Sequence, residues 1–529
     1  MKYGKLILAM PLLVVLPVPV SLAAQEQVAK HHHYKLIDMG TFGGPESDIN
    51  NAMALGAPNQ INRRGTTVGS SATSIPSPPH SNFTICGGLD GTVHFVFHAF
   101  QWQDDKVTDL KALPGHHNCS VATSINASGE IAGSSEISVI DPVLDLREIR
   151  AVLWKNGTIT NLKTFGGNFS IVSAINDRGQ VAGSATNAIA DPFSILYLLQ
   201  GSSKGTQTRA FLWQNGHKKD LGTLGGPDAA TFGLNNKGQV IGTSYINSIP
   251  NSTTGLPTAD PFLWDPKTRK TRKMKDLGTL GGVYGWAWWF NDKGQVIGYS
   301  SLAADPGACL KALPNPNCHP FLWDDGNLLD LTVQSGGKVV AANAINDNGD
   351  IAGLGDFSGT QDAALWRNGV VTDLEHLAGD CSSEAFAINS RDQVVGTSLA
   401  CNGDFRSFLW ENGSMVDLNT LIPPKSSLYL IETLAINDRG EIAGDGLPPG
   451  CTYDGTCGHA YLLIPCDEHH PGVEGCDYSM VDAIASLPQP SPAFHVASSR
   501  TLPSHPSYPR SSSGRFLPLV SSPAKWGDD

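Results

Sequence analysis

The segment Tyr284-Gly285-Trp286-Ala287-Trp288-Trp289-Phe290 is the densest set of ligand-recognising side chains in the chain. Aromatic faces stack on sugar rings, so Tyr284, Trp286, Trp288 and Trp289 form the candidate binding set and carbohydrate the candidate ligand. The same rings could instead pack together or plug a channel. No candidate catalytic set emerges: no Gly-x-Ser-x-Gly, Ser-x-x-Lys or His-Glu-x-x-His stands in a catalytic context. Phosphate-loop and dinucleotide fingerprints are also absent. A glycosidase-type carboxylate pair stays open, because its two members need not be close in sequence.

Metal chemistry has little to build on. His31-His32-His33, His116-His117 and His469-His470 lack a carboxylate at ligand spacing. The Asn-Asp-x-Gly turns at Asn176, Asn291, Asn346 and Asn437 fall two or three acidic ligands short of a calcium loop. No metal or cofactor is expected. The ten cysteines include no Cys-x-x-Cys and fall into successive neighbours: Cys86 and Cys119, Cys309 and Cys318, Cys381 and Cys401, Cys451 and Cys457, Cys466 and Cys476. Spacing does not fix connectivity, but neighbour pairing would place each disulfide on a loop.

The elements that must carry these residues follow from an internal repeat. Ile-Asn-x-x-Gly-x-Val/Ile-x-Gly, with small variations, recurs eight times, its Asn at 62, 126, 176, 235, 291, 346, 389 and 437. Seven residues after each Asn stands a Gly, from Gly69 to Gly444. A segment ending in Leu-Trp or a variant follows in seven copies (Gln101-Trp102 in the first), with Tyr461-Leu462-Leu463 in the eighth, and then one ending in Asp-Leu, with Asn161 as the one substitution. Each copy thus reads as four short strands, a to d, with Asn-Asp-x-Gly as the a–b turn and Asn-Gly often at the c–d turn. The repeated Asp of strand d suits a turn-fixing acceptor, and the repeated Gly leaves room for an aromatic, with the strand c Trp a candidate.

Four-stranded units at a period near 50 residues describe propeller blades. Tyr34 to Met39 reads as a strand d with no a to c before it, and Ala460 to Ile464 as a strand c with no d after it. The expected fold is therefore all-β, an eight-bladed β-propeller closed by pairing of the N-terminal strand with the last blade. Asp392 in place of the turn Gly of copy seven, and the missing Trp of copy eight, are the irregular repeats. Insertions between strands b and c, near 72–97, 135–149, 185–208, 244–259 and 300–318, should decorate a single face.

His98-Ala99-Phe100, Arg209-Ala210-Phe211 and the Asp-Leu-Gly-Thr-Leu-Gly-Gly runs at Asp220 and Asp276 resemble the HAF-type extracellular repeat family of bacterial secreted proteins. The resemblance spans roughly residues 34 to 465. It implies export and a repeat fold, and brings no activity, ligand or catalytic residue with it.

Residues 1–24, with Lys2 and Lys5 before an apolar run ending near Ser21-Leu22-Ala23-Ala24, read as a signal peptide. Residues 25–33 are a leader, 34–465 the propeller, 466–482 a disulfide-containing extension and 483–529 a Pro/Ser-rich disordered tail. The mature chain is expected outside the cytoplasm, monomeric and without a transmembrane segment. A net charge of −13 without a basic stripe excludes nucleic acid as partner. The functional expectation is a non-enzymatic binding or surface-interaction propeller, its partner a carbohydrate or a surface protein. The alternatives are an extracellular hydrolase or lyase acting on polysaccharide or peptide, and a structural envelope component. An enzyme should gather carboxylates or histidines in the channel; a binder should show an aromatic or loop-walled cleft without them.

Overall fold

The computed structural model describes residues 30–49, 59–87, 93–268, 274–311, 315–451 and 457–482. The expected signal peptide, the leader up to residue 29 and the tail from residue 483 lie outside them. The described chain is all-β and propeller-like. It forms six separate four-stranded sheets, an eight-stranded sheet, and a two-stranded ribbon pairing Lys30–His32 with Met480–Asp482. Two four-stranded units make up the eight-stranded sheet, joined by a single parallel bridge from Ala259 to Tyr284.

Each sequence repeat supplies one such unit in the order a-b-c-d. In the fourth, Ala229–Leu234 pairs with Val240–Pro250, which pairs with Pro257–Trp264, which pairs with Met274–Asp276. In the last unit, Tyr429–Ile436, Ile442–Leu447 and His459–Pro465 are completed by Tyr34–Asp38, in register from Tyr34 opposite Pro465 to Asp38 opposite Tyr461.

The repeated Asn has two tasks. Its carbonyl oxygen closes the a–b turn: Asn176 Oδ1 accepts from the Arg178 and Gln180 amides at 3.1 and 3.0 Å. Its amide nitrogen donates to the backbone carbonyl of the next repeat's Asn, from Asn62 to Asn126, Asn176, Asn235, Asn291, Asn346, Asn389 and Asn437. Asn437 then donates to Asn62 at 2.9 Å, so the series returns to its start. An Asn side chain offers donor and acceptor on one short planar amide, so a single residue can close its own turn and reach the next. Asp392 takes the turn position with φ +62°, a conformation Asp tolerates better than most residues.

The repeated Gly answers a close approach rather than a turn. A Cβ on Gly242 would lie 1.9 Å from the Ala230 carbonyl oxygen and 2.9 Å from the Phe262 ring. The strand a carbonyl intrudes because strand a carries a bulge there, between Thr231 and Gly233. The aromatic is the Phe of strand c in most repeats (Phe100, Phe211, Phe262, Phe321, Phe408), not the Trp that the sequence suggested; Trp154 fills the place only against Gly133.

Hydrophobic clusters lie between successive sheets. One unites Ala182, Ala210 and Leu212 of the third with Phe262 and Trp264 of the fourth, and another unites Ala443, Ala460 and Leu462 of the last with Phe100 and Trp102 of the first. Both faces of each strand c are therefore covered, which is why these strands are apolar throughout. No helix among the described residues is long and apolar enough to cross a membrane.

Candidate functional site

The aromatic segment occupies strand a of the fifth sheet, Gly281–Phe290. Tyr284 and Trp286 are only 4% and 7% exposed, and Trp286 stacks on the buried Tyr299 with centroids 5.3 Å apart. They belong to a hydrophobic cluster with Tyr245, Leu256 and the Cys309–Cys318 disulfide. Trp288 is the bulged residue of its strand and leans on Phe232 of the fourth sheet at 6.2 Å. Trp289 packs against a different cluster, around Ile297 and Leu322. Tyr284 and Trp286 touch each other, ring centroids 5.8 Å apart, and Trp288 packs against the same cluster, while Trp289 faces another, so the rings serve the core and form no open platform.

The cysteines pair as neighbours: Cys86–Cys119, Cys309–Cys318, Cys381–Cys401, Cys451–Cys457 and Cys466–Cys476. Such bonds persist in oxidising compartments. The repeated Asp of strand d has a local role: Asp38, Asp109, Asp220 and Asp276 each accept the amide two residues on, at 2.7 to 2.8 Å.

A constellation absent from the candidate set lies where the last sheets meet the first. Glu384 sits on strand a of the seventh sheet (Asp380–Ile388), Glu432 on strand a of the eighth (Tyr429–Ile436), and Glu46 and Asp48 on strand a of the first (Gly43–Asp48). Asp445 projects from strand b of the eighth sheet toward the first and accepts the Ile49 amide at 3.3 Å through Oδ1. Its Oδ2 is buried and has no hydrogen-bond partner. Asp48 receives the Ser70 hydroxyl at 3.2 Å, and Glu384 receives the Asn343 amide at 2.9 Å. Asp445 is 1% exposed, Asp48 and Glu46 4%, and Glu432 5%, while Glu384 is half-buried.

Removing a carboxylate from water disfavours its charged form, and a second negative charge nearby adds to the effect. Burial, followed by the charges of Asp48 and Glu432, holds the Asp445 carboxyl well above the usual range. Burial also raises Glu384, opposed by the Asn343 hydrogen bond and reinforced by the charge of Glu432. Both carboxyls are thereby biased toward the protonated form, as a proton donor requires. A multidentate cation site is a poorer fit. The one group of three close ligand atoms among the described residues is Cys86, Cys119 and Glu136, whose two sulfurs are bonded to each other.

A sequence signal for these acids existed. Position Asn+8 of the repeat is Ser70, Ser134, Ser184, Thr243 or Thr397 in five copies, Tyr299 and Leu354 in two, and Asp445 in the eighth. Glu384 and Glu432 stand five residues before the Asn, where other copies carry Val121, Ile171, Ala230, Trp286 and Ala341. An acid in an apolar column marks a departure from what the fold alone needs.

No family model matches the chain, and no curated protein matches it. Among solved structures it is similar to an acylaminoacyl peptidase of Pyrococcus horikoshii, at 10% identity and a TM-score of 0.36, over 74% of this chain and 57% of that one. It is similar to the β-propeller domain of the Trilobed protease from Pyrococcus furiosus, at 8% identity and a TM-score of 0.37, over 73% and 98%. A post-proline cleaving enzyme from Rickettsia typhi aligns at 11% identity and a TM-score of 0.41, over 75% and 58%. The chain spans little more than half the length of the two whole peptidases. At these values the likeness concerns the fold alone.

The expectation of a non-enzymatic binding propeller is corrected here. Two of the four candidate rings are enclosed in the core and a third packs against the same cluster, so they offer no open aromatic platform. Buried carboxylates gather at the junction of the last sheets with the first, a feature the binding expectation did not include.

Proposed function

We propose that the chain is an exported, closed eight-bladed propeller with hydrolase activity, its acid and base drawn from Glu384, Glu432, Asp48 and Asp445. The observation that carries this reading is the convergence of these four carboxyl groups on adjoining strands, one of them with an unpartnered buried oxygen. A pair of carboxyl groups, one held protonated, suits glycosidic hydrolysis, so a polysaccharide is the first substrate class and a peptide the second. Half-buried Glu384 is the carboxyl that meets the substrate, and the buried Glu432, Asp445 and Asp48 behind it set its proton affinity. Eight-blade closure is supported by the Asn circuit and by the pairing of Tyr34–Asp38 with His459–Pro465. Export through a signal peptide at 1–24 belongs to the same proposal, supported by the five disulfides; so does kinship with the HAF-type repeat proteins, which rests on the sequence motifs alone.

The test is product release from a panel of cell-wall polysaccharides, storage glycans and peptides. The native protein should release product from at least one. Asp445→Asn or Glu432→Gln should slow release by about a hundredfold or more without altering the melting temperature by more than a few degrees. Absence of release across the panel, or unchanged rates in both folded variants, would overturn the reading.

A further inference from the structure

A cavity of about 470 Å³ lies on the opposite side of the sheets from the long b–c insertions, between the a–b turn of the seventh sheet and the terminal ribbon. The Trp410 ring and the buried Tyr34 form its apolar wall, together with Pro465 and Met480. Arg391 stands at its edge. In three other repeats the cation of this turn reaches the next sheet: Arg178 donates to the Asn236 carbonyl, Lys237 to Lys293 and Lys293 to Asn348. The Arg391 guanidinium also lies over the next sheet's turn, against Gly440, but makes no such bond among the described residues, and it lines the cavity.

Two of the four acids that line it are engaged internally: Glu411 accepts from His31 at 3.0 Å and from Gln393 at 2.7 Å, and Asp467 is bonded to His470 at 2.6 Å. Asp392 is paired through one oxygen with Arg367 at 2.9 Å while its other oxygen is buried without a partner among the described residues, and Glu468 is exposed. His32 Nδ1 is likewise buried without a partner among the described residues. The cavity therefore offers a planar cationic fork beside aromatic surface, with Arg367 as a second cation that holds Asp392. A guanidinium fork matches a carboxylate bidentately, and aromatic walls favour a ligand with an apolar body.

We infer that this cavity binds a small carboxylate carrying an apolar group, with Arg391 on the carboxylate and Trp410 and Tyr34 against the apolar part. The site is separate from the proposed acid–base centre and stands or falls independently of it. The terminal ribbon and the Cys466–Cys476 loop form one wall, so binding also ties down both ends of the described chain.

Calorimetric titration of the full protein with N-acetylphenylalanine, and with its neutral carboxamide, tests the inference. The acid should bind and the amide should bind at least about tenfold more weakly; Arg391→Gln should reduce affinity for the acid by a similar factor. Arg391 is exposed, so this variant should retain the native melting temperature. Equal binding of acid and amide, undiminished binding by Arg391→Gln, or no binding of the acid at millimolar concentration would each overturn it.

Discussion

Asp260 shows how one position changes its chemistry with its partner. In five sheets a strand c His or Arg faces the strand d Asp: His98 with Asp109, Arg209 with Asp220, His319 with Asp330, Arg406 with Asp417, and His459 with Asp38. In the fourth sheet the partner of Asp276 is Asp260, another acid, itself 9% exposed. Burial, then the charge and hydrogen bond of Asp276, push Asp260 up to about 7. Because the folded value is raised, the unfolded chain loses this proton first as pH rises. Stability from this group is full below about pH 4 and declines until the pH has passed about 7. Asp260→Asn should remove that decline, which is on the order of 1–3 kcal/mol. Thermal melts of both proteins from pH 4.5 to 7.5 decide the matter; parallel profiles would show that the pair does not titrate in this window.

The individual sheet depends on close contact more than on turn conformation. Gly242→Ala would drive a methyl into the Ala230 carbonyl and the Phe262 ring, with a Cβ 1.9 Å from the former. Backbone and a buried aromatic cannot both yield, so a loss of about 3 kcal/mol or more is expected. Gly216, in a c–d turn with φ +82°, has nothing within 4 Å of the Cβ position. Gly216→Ala should therefore incur only the left-handed backbone penalty, about 1–2 kcal/mol. Comparing denaturant midpoints of the two variants tests this ordering, and a larger loss at Gly216 would show that turn geometry dominates.

At the scale of the whole molecule, the sheets are held as a series whose last member needs its first strand. Tyr34 is buried with Leu418, Leu421, Leu430 and Leu463, and its amide donates to the Leu421 carbonyl at 2.8 Å. Deleting residues 30–39 would expose that cluster and leave His459–Pro465 as an unpaired edge, a template for association with other chains. Expected outcomes are a lower melting temperature and oligomers in size-exclusion chromatography. A deletion variant that stays monomeric with a native melting temperature would show that the N-terminal strand is dispensable.

The repeat, the strands, the Asn turns and the neighbouring cysteines were all legible in the chain, because each depends on residues a few positions apart and is written several times over. Repetition separates what every sheet needs from what one sheet has. By that standard Asp445, Glu384 and Glu432 were already conspicuous, but not as a group. Asp445 meets Ile49 across a sequence separation of 396 residues, and only the return of the last sheet to the first brings those acids beside Asp48. Side-chain direction was equally out of reach for Trp286 and Trp288. A bulge in strand a resets which residues point between sheets, so Trp286 and Trp288 pack against one core cluster and Trp289 against another, and no open aromatic surface results. Local physics specified the units; burial and charge at the junctions depended on which units came to lie together.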